Sequence, residues 1–450
     1  FSTQCGAPTA NVYPCTIDYS LVGGAATLDV IDYFVVAQDA AGNVGANPSG
    51  GFSATNVNSI TTPPTVPSTY TIVAGTTGTK TVCASGCDYT TLTAAGGVFA
   101  ALNAAIFTGN VNIEINGDLV VGEDGSVALN PPTEEPAGSN FTLKFYPTGV
   151  ARAITSTTAP AGGFIRLNAA DRVTIDGSIG GTGTDRSLTI TDTNTGASSA
   201  AIWLQSNGAD GATNNTIKNV NIIGTSVTAT AGTLFGIGSG SATVSVTSFG
   251  TGNVNNTFQN NDIRKTQIGI YSGGASAANK NTGTVISQNV MNAASPNNLT
   301  TGGILVNFDN GASITRNDIG NIIKHDGTVG TTGTAFGIAL GVVPSNTVTA
   351  FGGSDVTNAT VTRNKIDNLT QLNSTGFSAF GIVVNSVTSG TTLVANNMLS
   401  QIRAASTSSD FSGGIIAGGG TGSTTQIYAN TVSMSGARGA ASFPSYGLAI

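Results

Sequence analysis

From residue 111 onward the apolar positions fall into short runs in which they alternate with polar ones, the pattern of strands that bury one face. Val111-Asn112-Ile113-Glu114-Ile115, Phe141-Thr142-Leu143-Lys144-Phe145, Phe164-Ile165-Arg166-Leu167, Leu188-Thr189-Ile190 and Ala201-Ile202-Trp203-Leu204 all read this way. From residue 258 a longer rhythm appears: an apolar residue, two positions, Asn, one position, an apolar residue. It recurs at Phe258…Asn261…Ile263, Ile286…Asn289…Met291, Ile314…Asn317…Ile319, Val361…Asn364…Ile366, Leu393…Asn396…Met398 and Ile427…Asn430…Val432. Ile217…Val220…Ile222 keeps the spacing and lacks the Asn. A Gly-aliphatic pair follows each unit, at Gly236-Ile237, Gly269-Ile270, Gly303-Ile304, Gly337-Ile338, Gly381-Ile382, Gly414-Ile415 and Gly447-Leu448. The glycines are 33, 34, 34, 44, 33 and 33 residues apart, a period that marks a solenoid.

Stacked coils explain this grammar. Each coil pairs its strands with those above and below at about 4.8 Å, so inward positions must be apolar in every coil. A corner needs a residue that tolerates left-handed dihedrals, and an amide there can also bond the next coil. Asn261, Asn289, Asn317, Asn364, Asn396 and Asn430 are therefore expected to stack as a structural ladder at one corner. The Gly before the second strand is expected to permit the opposite turn. The predicted fold class is all-β, a right-handed parallel β-helix over residues 111–450 that continues beyond Ile450. Polar stretches such as Gly273 to Thr282 and Pro344 to Ser354 read as lateral loops of variable length.

Upstream, residues 70–110 read as the cap that a solenoid end requires. Tyr70-Thr71-Ile72-Val73 is a strand. Thr93 to Ala105 is the best helix candidate, with Thr93 placed to cap it. Residues 63–69 form a Pro/Thr linker. Within residues 1–62, the strand around Tyr33, Val35 and Ala37 runs into Asp39-Ala40-Ala41-Gly42-Asn43. That ending resembles the closing hairpin of bacterial immunoglobulin-like and fibronectin-like repeats, which implies part of such a β domain.

The order strand, Asp88-Tyr89-Thr90-Thr91-Leu92, helix resembles the entry to pectin-lyase-like β-helices, as does Asp171-Arg172-Val173-Thr174-Ile175-Asp176-Gly177. From Tyr70 to Ile450 the chain resembles the β-helical modules of large Bacteroidetes surface proteins exported by the type IX secretion system. The resemblance implies an extracellular, surface-attached segment of an adhesin or gliding-associated protein, which would meet the secretion machinery through a region outside this chain.

Composition narrows the partners. Only 9% of residues are charged while 39% are hydrophobic, so a packed core is feasible and the surface must rest on Thr, Ser and Asn. A net charge of −7 with scattered cations excludes a nucleic-acid stripe. No apolar run is long enough to span a membrane. Four cysteines form two close pairs, Cys5/Cys15 and Cys83/Cys87, expected to be local disulfides in an oxidising compartment, with a four-ligand zinc site as the alternative.

Catalytic motifs are sparse. The chain has no Asp-Asp pair, and its single histidine lies in Lys324-His325-Asp326. The residues a lyase or glycosidase could use are Asp262, Asp318 and Lys365, with Arg264, Arg316 and Arg363 nearby. Asp262 and Asp318 fall at equivalent outward positions separated by the coil of Val290, which makes them poor partners for one ion. Trp203 is the one tryptophan and a candidate for sugar stacking, although its alternating context favours the core. The expectation is a non-catalytic adhesin or stalk segment without cofactor or metal, its partners surface glycans or another cell-surface protein. The alternatives are a polysaccharide-binding or polysaccharide-degrading exoprotein and a structural filament or surface-layer component.

Overall fold

The structure, a computed structural model, describes residues 2–450 apart from 11, 74, 158–161, 228–230, 325–333, 344–351, 373–377, 387–388, 405–411, 421 and 435–444. The chain divides into two compact units, one of residues 1–75 with 104–106 and one of residues 76–103 with 107–450.

The first unit is built from antiparallel pairs: Val30–Tyr33 with Ser68–Thr71, Val35–Gln38 with Val44–Asn47, and Ser53–Asn56 with Ser59–Thr62. In the second pair the turn is set by Asp39, whose Oδ1 accepts from the backbone N–H groups of Ala41 and Asn43. The Tyr70 strand, expected to open the β-helix cap, instead pairs with Ile31 and belongs here. Its hydroxyl lies 2.7 Å from that of Tyr19 and its ring 5.6 Å from that of Tyr33.

The second unit is a parallel β-helix of three sheets. Among the described residues the sheets hold twelve, nine and nine strands: nine coils supply one strand to each sheet, and the first sheet adds Gly75–Val82, Ile106–Ile115 and Thr133–Glu134. The first sheet runs through Ile106–Ile115, Leu143–Pro147 and Val173–Asp176 to Ser423–Tyr428, the second from Arg152–Thr155 to Thr431–Ser433, the third from Gly162–Asn168 to Ser445–Ala449. The register makes the inward columns explicit. The first sheet stacks Ile217, Phe258, Ile286, Ile314, Val361 and Val394. The third stacks Ile165, Ile202, Ile237, Ile270, Ile304, Ile338, Ile382 and Ile415, and both columns join one buried core. Such columns of like side chains pack at the density a core requires.

Two turn explanations change. The repeat glycines lie inside the third-sheet strands rather than before them, and none takes positive φ. They are there for room. A Cβ on Gly303 would stand 2.5 Å from the Gly337 carbonyl oxygen and 2.7 Å from Ile319 Cγ2, and Gly337 repeats the crowding against Gly381 and Ile366. The left-handed corner falls one residue before each ladder Asn, at Asn260, Gln288, Arg316, Arg363, Asn396 and Ala429, with φ between 52° and 59°.

The helix is also shorter than Thr93 to Ala105. It spans Val98–Asn103, because Gly96 at φ +79° breaks the chain's helical course before it. Thr93 is not its cap. Its backbone N–H and Oγ1 instead donate to the buried Glu123 carboxylate, at 2.8 and 2.6 Å.

Candidate functional site

The asparagine ladder is the most regular polar feature. Nδ2 of Asn261 donates to Oδ1 of Asn289, Asn289 to Asn317, Asn317 to Asn364, Asn364 to Asn397 and Asn397 to Asn430, all at 2.9–3.0 Å. Each Oδ1 also accepts the backbone N–H of the preceding rung, and each Nδ2 also donates to an inward-column carbonyl one coil back. Two donors and two acceptors are used in every inner rung, which is all a buried amide can offer. Val220 stands at the foot of the ladder, its N–H donating to Asn261 Oδ1.

Asn396 is not a rung; Asn397 is. Counting from Leu393 to Met398 puts Asn396 at the corner, but the register sets Leu393 opposite Thr360 and Met398 opposite Lys365, both outward. The inward residues are Val394 and Leu399, so the frame moves by one and exchanges faces. Asn396 is the exposed left-handed residue before the rung.

Both cysteine pairs are disulfides, Cys5–Cys15 and Cys83–Cys87, closing separations of 10 and 4 residues and leaving no free thiol. The zinc alternative loses its ligands. Among the described residues no group of three His, Cys, Asp or Glu is placed to hold a metal.

The carboxylates nominated for chemistry stay apart. Asp262 faces Val290 across one coil and Val290 faces Asp318 across the next, a two-coil interval of about 10 Å. Each has its own partner: Asp262 is held bidentate by Arg264 at 2.9 and 2.6 Å, and Asp318 lies 3.4 Å from Lys365 and accepts from Asn292 at 2.6 Å. Arg316 and Arg363 occupy left-handed corners. His325 lies outside the described residues.

Trp203 is fully buried, so it offers no face to a sugar. It belongs to a second apolar cluster on the outward side of the third sheet, with Phe235, Tyr271, Leu305 and Phe380. Its ring stacks on Phe235 at 5.8 Å and Tyr271 at 6.1 Å, and Nε1 donates to the Ser241 carbonyl. Gly238 sits between Trp203 and Tyr271 in that column, where a Cβ would meet the indole at 2.2 Å. From Phe235–Gly240 to Ala335–Leu340 this sheet is thus buried on both faces, as parallel sheets commonly are.

Buried ionisable groups are what sequence reasoning missed. Burial pushes the Glu123 and Asp192 carboxyls above their ordinary range. At Asp176 burial acts the same way, yet hydrogen bonds from Asn219, Ser178 and Lys218 outweigh it and its pKa falls. Asp309 is pushed up to about 7 by burial, partly opposed by Thr284, the Ala312 N–H and the charge of Lys280. One Asp309 oxygen accepts from Thr284 Oγ1 at 2.6 Å, and the other has no hydrogen-bond partner. Close by in the stack, Lys280 Nζ meets Asp355 Oδ2 at 2.6 Å. Lys280, Asp309 and Asp355 lie in three different coils, and no local motif announces them.

No protein-family model matches the chain, and no curated protein matches it. Among solved structures it is similar to the Streptococcus pneumoniae surface protein and adhesin PfbA, at 12% identity and a TM-score of 0.31, over 80% of this chain and 98% of that one.

Proposed function

We propose that this chain is a segment of an extracellular, cell-surface adhesin or stalk, serving as a rigid non-catalytic spacer whose lateral face binds surface glycans or another surface protein. The observation that carries the reading is the ladder: the regularly placed polar side chains are spent on coil-to-coil bonding rather than turned toward a substrate. Asp262 and Asp318, the acids nominated for catalysis, each pair with a separate cation two coils apart, whereas a glycosidase needs two carboxylates flanking one bond. Two disulfides fit an oxidising compartment. Among the described residues no helix is long and apolar enough to cross a membrane. The outward face of the first sheet offers a binding surface, with Thr216, Thr257, Val285, Ser313 and Thr360 in one column and Gln259, Ser287, Thr315 and Thr362 in the next. Membership of a Bacteroidetes gliding or adhesion system, with export by type IX secretion, is the finer form of the same proposal.

The test is incubation of the purified chain with a panel of uronic-acid and neutral polysaccharides. Expected are retention of some glycans and no turnover. Unsaturated products or new reducing ends, lost in Asp262→Ala or Asp318→Ala, would overturn the non-catalytic reading.

A further inference from the structure

Lys280 and Asp355 form a buried contact that spans coils. Their side chains are 12% and 1% exposed, and Lys280 Nζ also donates to Thr357 Oγ1 at 3.2 Å. The register places one coil between them. Asn281 pairs with Asp309, and Asn310 pairs with Thr357, so residue 308 separates residues 280 and 355 in the stack. That intervening coil carries Asp309, fully buried, with one carboxyl oxygen free of hydrogen bonds. The Lys280 charge acts on it.

We propose that Lys280 and Asp355 condense into an intramolecular amide cross-link. Buried ion pairs carry a desolvation penalty that Coulombic attraction often fails to offset, and an amide removes both charges. The fold holds amine against carboxyl, which turns a bimolecular condensation into an intramolecular one. Across their 2.6 Å contact the ammonium gives a proton to the Asp355 carboxylate. The freed lone pair attacks Asp355 Cγ, and the new N–Cγ bond forms. The nitrogen passes a second proton to the departing Asp355 hydroxyl, the Cγ–O bond breaks, and water leaves. One ammonium and one carboxylate become one amide and one water, and no oxidant or cofactor is consumed. The inference stands whether or not the chain is an adhesin.

Mass spectrometry of the full chain, reduced and alkylated, tests it. The expected intact mass is one water below that of the sequence, and a tryptic digest should yield a branched peptide joining the Lys280 and Asp355 segments. Lys280→Arg keeps a buried cation for Asp355 and should restore the full mass in a chain with unchanged circular dichroism. Full mass in the folded wild type means an ion pair only and overturns the proposal. So does a water loss that survives Lys280→Arg, as succinimide formation at Asp176-Gly177 would give.

Discussion

Replacing Asn317 by Ala tests whether the ladder holds the coils together. The amide makes four buried hydrogen bonds: Nδ2 to the Ile286 carbonyl at 3.0 Å and to Asn364 Oδ1 at 2.9 Å, and Oδ1 from the N–H and Nδ2 of Asn289 at 3.0 Å each. Alanine leaves three groups unpaired in the core: the Ile286 carbonyl, the Asn289 N–H and one Asn289 amide hydrogen. Asn364 Oδ1 keeps the backbone N–H of residue 317. At about 1–3 kcal/mol for each orphaned buried group, with some relief if water enters, the loss should be about 3–5 kcal/mol. Asn430→Ala removes the same chemistry where it is half exposed, and water can replace it, so about 1 kcal/mol is expected there. Equilibrium urea unfolding followed by Trp203 fluorescence and far-ultraviolet circular dichroism measures both. Equal costs, or an Asn317→Ala loss below about 1 kcal/mol, would refute the ladder as a source of stability.

Three further expectations follow from single positions. Asn397→Ala should cost about as much as Asn317→Ala, whereas Asn396→Gly should be neutral or stabilising because it relieves a left-handed backbone; thermal unfolding separates them. Gly303→Ala should destabilise by at least about 2 kcal/mol, since its Cβ meets a backbone carbonyl that cannot rotate away, and a neutral result in urea titration would show that the coils can spread. In a Lys280→Arg background, Asp309→Asn should gain stability relative to Asp309 as pH rises. The folded carboxyl is raised from 3.8 to about 7, so its contribution is fully present below pH 3.8 and lost as pH climbs through 7. That difference amounts to about 4 kcal/mol. A flat difference between pH 4 and 8 would mean that Asp309 is ionised when folded.

What the sequence showed was what every coil repeats. The Ile column of the third sheet and five of the six rungs were readable, because one register places equivalent residues on one face in coil after coil. Asn396 was misplaced because Leu393 and Met398 are apolar yet outward, and two adjacent asparagines fit either frame. The role of the glycines was misjudged for a different reason: the repeat shows that a side chain is excluded, but not whether a dihedral or a neighbouring coil's carbonyl excludes it. The outer apolar cluster around Trp203 hid in strands whose two faces are both buried, where alternation vanishes. Lys280, Asp309 and Asp355 each occur once, in separate coils, and a periodicity cannot register an unrepeated arrangement.

That unrepeated arrangement has a consequence for how the β-helix opens. Hydrogen-bonded strands and the ladder couple each coil only to its immediate neighbours, so a solenoid can fray or open locally wherever one interface is weak. A bond from Lys280 to Asp355 skips a coil. It ties the turn after Ile268–Gly273 to the turn after Ala335–Leu340 and brackets the strand Gly302–Asn307 between them. Closing a chain segment of this length removes unfolded-state entropy worth about 4 kcal/mol in the chain-entropy model. Opening at Gly302–Asn307 should then require the bracketing coils to move together. Amide hydrogen exchange in this strand is expected to be at least tenfold slower in the wild type than in Lys280→Arg, while strands near Leu188–Thr191 exchange alike in both. Equal rates at Gly302–Asn307 would show that the contact adds no coupling beyond that of neighbouring coils, even if the covalent link forms.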